Sequence, residues 1–154
     1  MTSPVLSLRY VLCKRFETAS PEQTEAAGVR IAALLPPAAV VSLEGDLGSG
    51  KTTLTRGIAA ARARVSPEEV TSPTFALIHE YGDPPSVYHI DLYRLETRAE
   101  AERLGLDELF ERTALVLIEW GDRFPGLLPH HHWVIRLGSG SGTARSIELY
   151  RPAE

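Results

Sequence analysis

The residues best placed to do chemistry lie between Gly45 and Thr52, in the segment GDLGSGKT. A glycine, four further residues and then Gly50, Lys51 and Thr52 give the spacing of a Walker A loop. In such a loop, successive backbone N–H groups face the phosphates, and the helix that follows adds its positive dipole end. The lysine reaches the β- and γ-phosphates, and the hydroxyl ligates magnesium. The sequence therefore predicts a nucleoside triphosphate site with magnesium around Lys51 and Thr52.

Such a site also needs an acidic group at the end of a neighbouring buried strand, and there are two candidates. Glu119 follows the four apolar residues 115–118, which is the Walker B pattern, and Asp91 interrupts an otherwise apolar strand. A buried carboxylate requires a cation or hydrogen-bond donors nearby. The alternatives are that Asp91 pairs with Arg94 or another arginine, and that Glu119 faces water at a strand end. With Lys51, these acids are the predicted catalytic residues.

Other residues that could take part in chemistry are ambiguous on sequence alone. Trp120 either covers the nucleotide site or packs in the core, and His89 is a strand histidine that faces the core or a neighbour. Three consecutive histidines occupy positions 130–132. Because consecutive residues cannot all face one ion, we expect a solvated loop there rather than a metal site.

The predicted elements place these residues at strand ends. An apolar strand at 39–44 precedes the glycine-rich loop and a helix follows at 53–62, while residues 114–120 form a second central strand parallel to the first. The remaining predictions are an edge strand at 6–16, a helix from the N-cap Ser20 to about Leu35, a loop entering a strand within 70–81, its partner strand at 87–95, short helices starting at Thr97 and Asp107, and a closing hairpin at 133–137 and 146–150. The sequence thus predicts one domain, 1–154, with a three-layer α/β fold like that of P-loop NTPases and a mixed parallel and antiparallel sheet.

Composition restricts the possible partners. The chain of 154 residues has 16 basic and 20 acidic residues, a net charge of −4, and no visible basic stripe. A protein that binds nucleic acid through many phosphates usually shows one, so we expect any link to nucleic acid to run through a partner. No apolar run approaches the ~20 residues of a membrane span. The single cysteine, Cys13, cannot form an internal disulfide, which fits a cytoplasmic protein, and we expect it to be buried in a strand.

Five motifs in a fixed order support a more specific interpretation. They are GDLGSGKTTLTRG at 45–57, SPTF at 72–75, HIDLYR at 89–94, EAERLG at 100–105 and IEW at 118–120. In order and approximate spacing they match the TsaE (YjeE) family, and the match covers nearly the whole chain. The chain therefore resembles the small bacterial ATPases that are required to make threonylcarbamoyladenosine in tRNAs reading codons that begin with A.

This resemblance implies an ATPase that uses ATP and Mg²⁺ and works with the TsaB–TsaD pair, in which TsaD transfers the threonylcarbamoyl group. ATP binding would drive assembly with that pair, and hydrolysis would reset the complex. Contact with tRNA would then be indirect, through the complex. No association with a membrane is implied.

The resemblance also assigns residues. Those matching the phosphate-binding loop are Gly48, Ser49, Gly50, Lys51, Thr52 and Thr53. Thr52 and Glu119 match the magnesium-side residues, and Asp91 matches the aspartate needed for hydrolysis. The remaining matches are Trp120 beside the acid, Arg145 near the nucleotide, Glu22 and Thr24 on the adenine side, and the switch-like segment Ser72–Phe75. One departure is Gly121-Asp122, where the family commonly has Pro-Glu.

Two rival functions remain at this stage. The first is a small-molecule kinase with the same loop, although the segment between Ser66 and Tyr81 is too short and too poor in arginine to supply the expected lid. The second is a binding module gated by nucleotide, in which hydrolysis is incidental.

Overall fold

A computed structural model describes residues 9–46, 48–70 and 77–153. In chain order the strands are β1 (Tyr10–Thr18), β2 (Ala39–Glu44), β3 (Ile78–Tyr81), β4 (Val87–Asp91), β5 (Leu115–Glu119), β6 (Trp133–Ser139) and β7 (Arg145–Pro152). The helices are α1 (Pro21–Leu34), α2 (Lys51–Ala63), α3 (Arg98–Glu102) and α4 (Leu106–Phe110), with single 3₁₀ turns at Pro67–Glu69 and Gly121–Arg123. The predicted segment Ser72–Phe75 and the start of the predicted first strand lie outside the described residues.

The seven strands form one mixed sheet in the order β1-β7-β6-β2-β5-β4-β3. Strand β2 is parallel to both β5 and β6, and β4 is parallel to β5, whereas the pairs at the two edges are antiparallel. The prediction of two central parallel strands is confirmed, because β2 and β5 are direct neighbours. Strand β6 lies between β2 and β7, its partner in the C-terminal hairpin, and this position was not predicted.

The sheet lies between two helical layers, and the side chains of β5 show how it divides the core. Leu115 and Leu117 belong to the buried cluster under α1 and α2, whereas Val116 and Ile118 belong to the cluster under α3 and α4. This alternation confirms the predicted three-layer α/β fold. It also places Glu119 on the same face of the sheet as α2, because successive strand side chains point to opposite faces.

Helices α1 and α2 approach each other closely at two glycines. A Cβ atom added to Gly57 would lie 2.0 Å from the carbonyl oxygen of Glu25, and one added to Gly28 would lie 2.4 Å from that of Leu54. Any side chain at these positions would push the helix backbones apart. The close packing holds the start of α1 beside the start of α2, next to the glycine-rich loop.

Local hydrogen bonds set the element boundaries. Ser20 caps α1 by accepting from the Gln23 N–H at 3.2 Å, as predicted, and the Gln23 side chain accepts from the Ala19 N–H at 2.7 Å. Strand β4 ends at Asp91, four residues before the predicted end. The reason is that Asp91 Oδ1 accepts from the Tyr93 N–H at 2.9 Å, which closes a turn.

Two further observations concern the surface. Cys13 is exposed, so the expectation of a buried strand cysteine is wrong; it lies where the pairing of β1 with β7 shifts register, between Leu12 and Lys14. None of the helices in the described ranges has the length and apolar character that crossing a membrane requires.

Candidate functional site

The glycine-rich loop connects the carboxyl end of β2 to the amino end of α2. Gly48 and Gly50 have φ angles of 80° and 102°, in the left-handed region that glycine tolerates best. Gly50 is the N-cap of α2 and, as a glycine, provides no side-chain cap for the first turn of that helix. The positive end of the helix and its first N–H groups therefore face the loop without a side-chain cap.

Lys51, the first residue of α2, is only 6% exposed. Its Nζ donates to the Gly45 carbonyl oxygen at 2.7 Å and lies 3.8 Å from Glu119 Oε1. It also lies 4.4 Å from the centroid of the Trp120 ring, within the range of a cation–π contact. The lysine that sequence analysis singled out is thus held inside the loop by a carbonyl, a carboxylate and an aromatic face.

Glu119 ends β5 and is 5% exposed, so the alternative that it faces water is wrong. Besides Lys51, its neighbour is His89 of β4, whose Nε2 lies 2.6 Å from Glu119 Oε2. His89 is fully buried, and the prediction that it faces the core or a neighbour is confirmed with Glu119 as that neighbour. Sequence reasoning gave no indication of which neighbour this would be.

Asp91 is the register partner of Glu119 on the adjacent parallel strand. Asp91 is half-buried, and burial raises the pKa of its carboxyl group. The hydrogen bond from the Tyr93 N–H lowers that pKa, and the negative charge of Glu119 raises it further. In the described part of the chain no arginine forms an ion pair with Asp91, and Arg94 is exposed. The salt-bridge alternative for Asp91 is therefore not found.

These groups surround one cavity of about 380 Å³. The cavity is lined by Gly48, Gly50, Lys51, Thr52, Thr53, Asp91, Tyr93, Glu119, Trp120 and Arg145. Its volume falls within the range of small-molecule sites in proteins, ~300–1,000 Å³. Nine of the ten lining residues were singled out from sequence, and the tenth, Tyr93, was not.

Arg145 connects the C-terminal hairpin to the loop. Its Nη2 donates to the Gly48 carbonyl oxygen at 3.0 Å, and its Nη1 donates to the Gly142 and Ala144 carbonyl oxygens. A second, smaller cavity of about 50 Å³ adjoins it, lined by Pro21, Thr24, Gly50, Thr53, Thr143 and Arg145. Glu22, in the same turn of α1, is exposed and lines neither cavity, whereas Pro21 and Thr24 line the smaller one.

Trp120 combines the two interpretations that the sequence left open. Its ring lines the cavity and also packs against the apolar cluster under α3 and α4. Its φ is 65°, and its ring centroid lies 5.2 Å from that of Tyr93, which is half exposed. Gly121 follows in a 3₁₀ turn, where an added Cβ would lie 3.1 Å from Ile118. The two aromatic rings therefore form one wall of the cavity.

None of the three consecutive histidines lines this cavity. His130 and His131 are exposed, as expected for a solvated loop. His132 differs: its Nδ1 donates to the Pro129 carbonyl oxygen and its Nε2 accepts from the Tyr10 hydroxyl, each at 2.8 Å. Burial lowers the pKa of His132. Among the described residues no group of three or more histidine, cysteine or acidic side chains could hold a metal ion.

Comparison with known proteins identifies the family of the chain. The family model described as "Threonylcarbamoyl adenosine biosynthesis protein TsaE" matches residues 18–147. Proteins named tRNA threonylcarbamoyladenosine biosynthesis protein TsaE are similar to it: that of Bacillus subtilis is 40% identical over 134 residues, 86% of this chain and 82% of the relative. The Nostoc protein is 42% identical over 137 residues, 85% and 82% of the two chains. The crystal structure of Bacillus subtilis YdiB superposes with a TM-score of 0.71 at 32% identity, covering 92% of this chain and 87% of that one.

Proposed function

This chain belongs to the TsaE family of threonylcarbamoyladenosine biosynthesis proteins, and from that premise we propose that it is a magnesium-dependent ATPase. The observation that carries the proposal is the convergence of Lys51, Asp91 and Glu119 on a cavity whose floor is the start of α2. A helix start with no side-chain cap and a buried lysine are what a triphosphate requires.

The residues present suit a nucleotide in that cavity. An added Cβ at Gly48 would meet nothing within 4 Å, whereas one at Gly50 would lie 3.6 Å from Arg145 Nε and 3.7 Å from Thr24 Cγ2, so Gly50 faces the arginine and threonine beside the loop. We propose that the N–H groups from Gly48 to Thr53 hold the phosphates, and that the Arg145 guanidinium stabilises their charge from the opposite side. Thr24 and Pro21 would then lie toward the base and sugar, in the smaller cavity.

The same site suits magnesium. The hydroxyl of Thr52 and the carboxylates of Glu119 and Asp91 are oxygen donors, which Mg²⁺ prefers, and they line one cavity. Mg²⁺ is usually held by one or two carboxylates together with substrate phosphates, which agrees with the absence of a larger acidic cluster among the described residues. Bound there, magnesium would neutralise charge on the phosphate oxygens. Thr52 and Glu119 are the residues we propose to hold it.

The chain's own side chains would divide the remaining work. Lys51 supplies a positive charge to the phosphates when its Nζ leaves Gly45 and Glu119. Asp91 has a half-buried carboxylate that lines the cavity and a raised pKa, which suits a group that orients a water molecule and accepts its proton. Hydrolysis by water then needs no covalent intermediate.

Its biological partner, we propose, is the TsaB–TsaD pair, with which family members make threonylcarbamoyladenosine. The net charge of −4 supports a role in which tRNA is contacted through the complex rather than by this chain alone. Reconstitution with the pair tests this directly: the chain should raise the number of tRNA modifications per complex, and no increase would contradict the proposal.

Two variants separate ATPase activity from its rivals. Lys51→Ala should lose ATP hydrolysis by at least ~10²-fold, the size expected when a group that stabilises transition-state charge is removed. The matched control Lys14→Ala alters the chain's other lysine, which is exposed on β1. Product analysis should find inorganic phosphate, whereas a phosphorylated small molecule would indicate a kinase. Asp91→Asn should bind ATP but not support repeated tRNA modification; if it does support it, hydrolysis is incidental.

A further inference from the structure

His89 is a buried polar residue whose partner lies in the site, although the residue itself does not line the cavity. Its ring is 0% exposed, and its Nε2 lies 2.6 Å from Glu119 Oε2. In the described part of the chain, its other ring nitrogen, Nδ1, has no hydrogen-bond partner. Burying a polar ring costs free energy that only its hydrogen bonds can offset. Among the described residues, the contact with Glu119 is therefore the hydrogen bond that accounts for a histidine at this position.

The register of β4 and β5 brings His89 and Glu119 together. His89 and Asp91 point to the same face of β4, and Asp91 is the register partner of Glu119 on β5. His89 lies two residues before that register partner, and its Nε2 reaches Glu119 Oε2 at 2.6 Å. Both strands are fully inside the sheet, with β4 between β3 and β5. The imidazole thus approaches the carboxylate from within the core.

The two oxygens of Glu119 consequently have different environments. Oε2 is bound by His89 at 2.6 Å, and Oε1 lies 3.8 Å from Lys51 Nζ, on the side of the cavity. A carboxylate held at only one oxygen cannot rotate to exchange them without breaking that hydrogen bond. If Lys51 moves to the phosphates, the His89 contact is the interaction that still holds the carboxylate in place.

We propose that His89 is a positioning residue for Glu119: its Nε2–H fixes Oε2 and so directs Oε1 toward the magnesium side of the nucleotide cavity. The inference rests on the proposed function, because it concerns the residue assigned to the metal. Histidines and carboxylates in the outer shell of metal sites are commonly worth ~10–100-fold in metal affinity or activity.

Two substitutions of His89 test which atom matters. Gln carries its amide nitrogen near the position of Nε2, whereas Asn is shorter and places its amide near Nδ1. His89→Asn should therefore raise the Mg²⁺ concentration needed for half-maximal ATP hydrolysis by ~10-fold or more, with KM for ATP unchanged at saturating Mg²⁺. His89→Gln should restore most of the loss. His79→Asn, at the register partner of His89 on β3, is the matched control and should behave like the parent.

Calorimetry supplies a readout that does not depend on turnover. The affinity of the non-hydrolysable analogue AMP-PNP is measured for each variant with and without Mg²⁺. In the parent, Mg²⁺ should tighten binding; in His89→Asn this gain should shrink by ~10-fold, while the affinity without Mg²⁺ stays the same. In a Glu119→Gln background, His89→Asn should not change the gain in AMP-PNP affinity that Mg²⁺ produces, because the carboxylate that His89 positions is then absent.

Specific results would overturn the inference. One is a folded His89→Asn variant in which Mg²⁺ tightens AMP-PNP binding as much as in the parent. The other is a His89→Asn effect on this tightening that is equally large in the Glu119→Gln background and in the parent. If instead the parent binds no nucleotide, the proposed function fails, and this result is distinct from either of the others. Thermal unfolding of every variant identifies any that fails to fold. Among the variants that fold, the effect of the His89 substitution with and without Glu119→Gln then decides whether His89 acts through Glu119.

Discussion

The buried pair of Lys51 and Glu119 provides a prediction that can be worked out without any nucleotide. Both side chains are almost fully buried, and their charged atoms lie 3.8 Å apart. We consider Lys51→Met, which keeps the apolar stem and removes the amino group, and Glu119→Gln, which removes the charge and keeps an oxygen for His89. Each single change leaves the opposite charge buried without its partner.

The expected cost of Lys51→Met follows from its contacts. Breaking a buried ion pair by removing one partner typically costs ~3–5 kcal/mol. Here the pair is long at 3.8 Å, and Glu119 keeps His89 at 2.6 Å, which reduces the loss. The hydrogen bond to the Gly45 carbonyl oxygen is also lost, for ~1 kcal/mol. We therefore expect a decrease of about 1–3 kcal/mol in the free energy of unfolding, or roughly 2–4 °C in Tm for each kcal/mol.

The assay is a double-mutant cycle on the protein without nucleotide, by thermal and urea unfolding. The double variant removes both charges together, so its loss should be smaller than the sum of the two single losses by ~0.5–3 kcal/mol. Lys14→Met combined with Glu119→Gln is the control and should be additive, since Lys14 is exposed on β1. ATP hydrolysis should remain absent in the Lys51→Met double variant even where stability recovers.

Additivity within ~0.3–0.5 kcal/mol would refute the reasoning. It would mean that Lys51 and Glu119 do not interact in the protein without nucleotide, and that the lysine already points elsewhere. A recovery of hydrolysis in the double variant would contradict the role proposed for the amino group.

Two further predictions concern packing and pH. Gly57→Ala should lower the free energy of unfolding by roughly 1–3 kcal/mol, because the new Cβ would lie 2.0 Å from the Glu25 carbonyl oxygen. The control is Gly138→Ala, whose Cβ would meet only the Ser146 hydroxyl at 3.0 Å and should be tolerated in the same unfolding assay. Burial raises the pKa of Glu44 despite its ion pair with Arg136, so this carboxyl stabilises the fold most when protonated, and that contribution is lost as the pH rises through its folded pKa. The Tm of the parent minus that of Glu44→Gln should therefore fall as the pH rises above the ordinary pKa of glutamate, ~4.3, and a constant difference would contradict it.

Sequence was sufficient for the parts of the site that depend on local spacing. Gly50, Lys51 and Thr52 occupy positions relative to one another that the loop and the first turn of α2 determine. Glu119 could be predicted because four apolar residues precede it and a strand of that length ends there. The alternation along β5 likewise fixes which face of the sheet it occupies.

The contact of His89 with Glu119, which sequence could not supply, depends on pairing between distant segments. His89 and Glu119 are 30 residues apart, and their contact depends on the register of β4 and β5. The period of two places His89 and Asp91 on one face, but nothing local selects the neighbouring strand. Tyr93 lines the cavity because Asp91 ends its strand with a turn, and the available signal was an aspartate at the end of an apolar run.

The two acids at the carboxyl ends of β4 and β5 occupy matching register positions yet meet different surroundings. Glu119 is buried between His89 and Lys51, which are both able to donate to it. Among the described residues, Asp91 accepts from one backbone donor, the Tyr93 N–H, and burial raises the pKa of its carboxyl group. Paired carboxyl groups whose environments differ in this way commonly take different roles in one reaction. Glu119, the carboxylate with two side-chain partners, suits the fixed magnesium side, and Asp91 suits proton transfer. Exchanging the two residues, Asp91→Glu with Glu119→Asp, should therefore abolish hydrolysis even though the charges are unchanged.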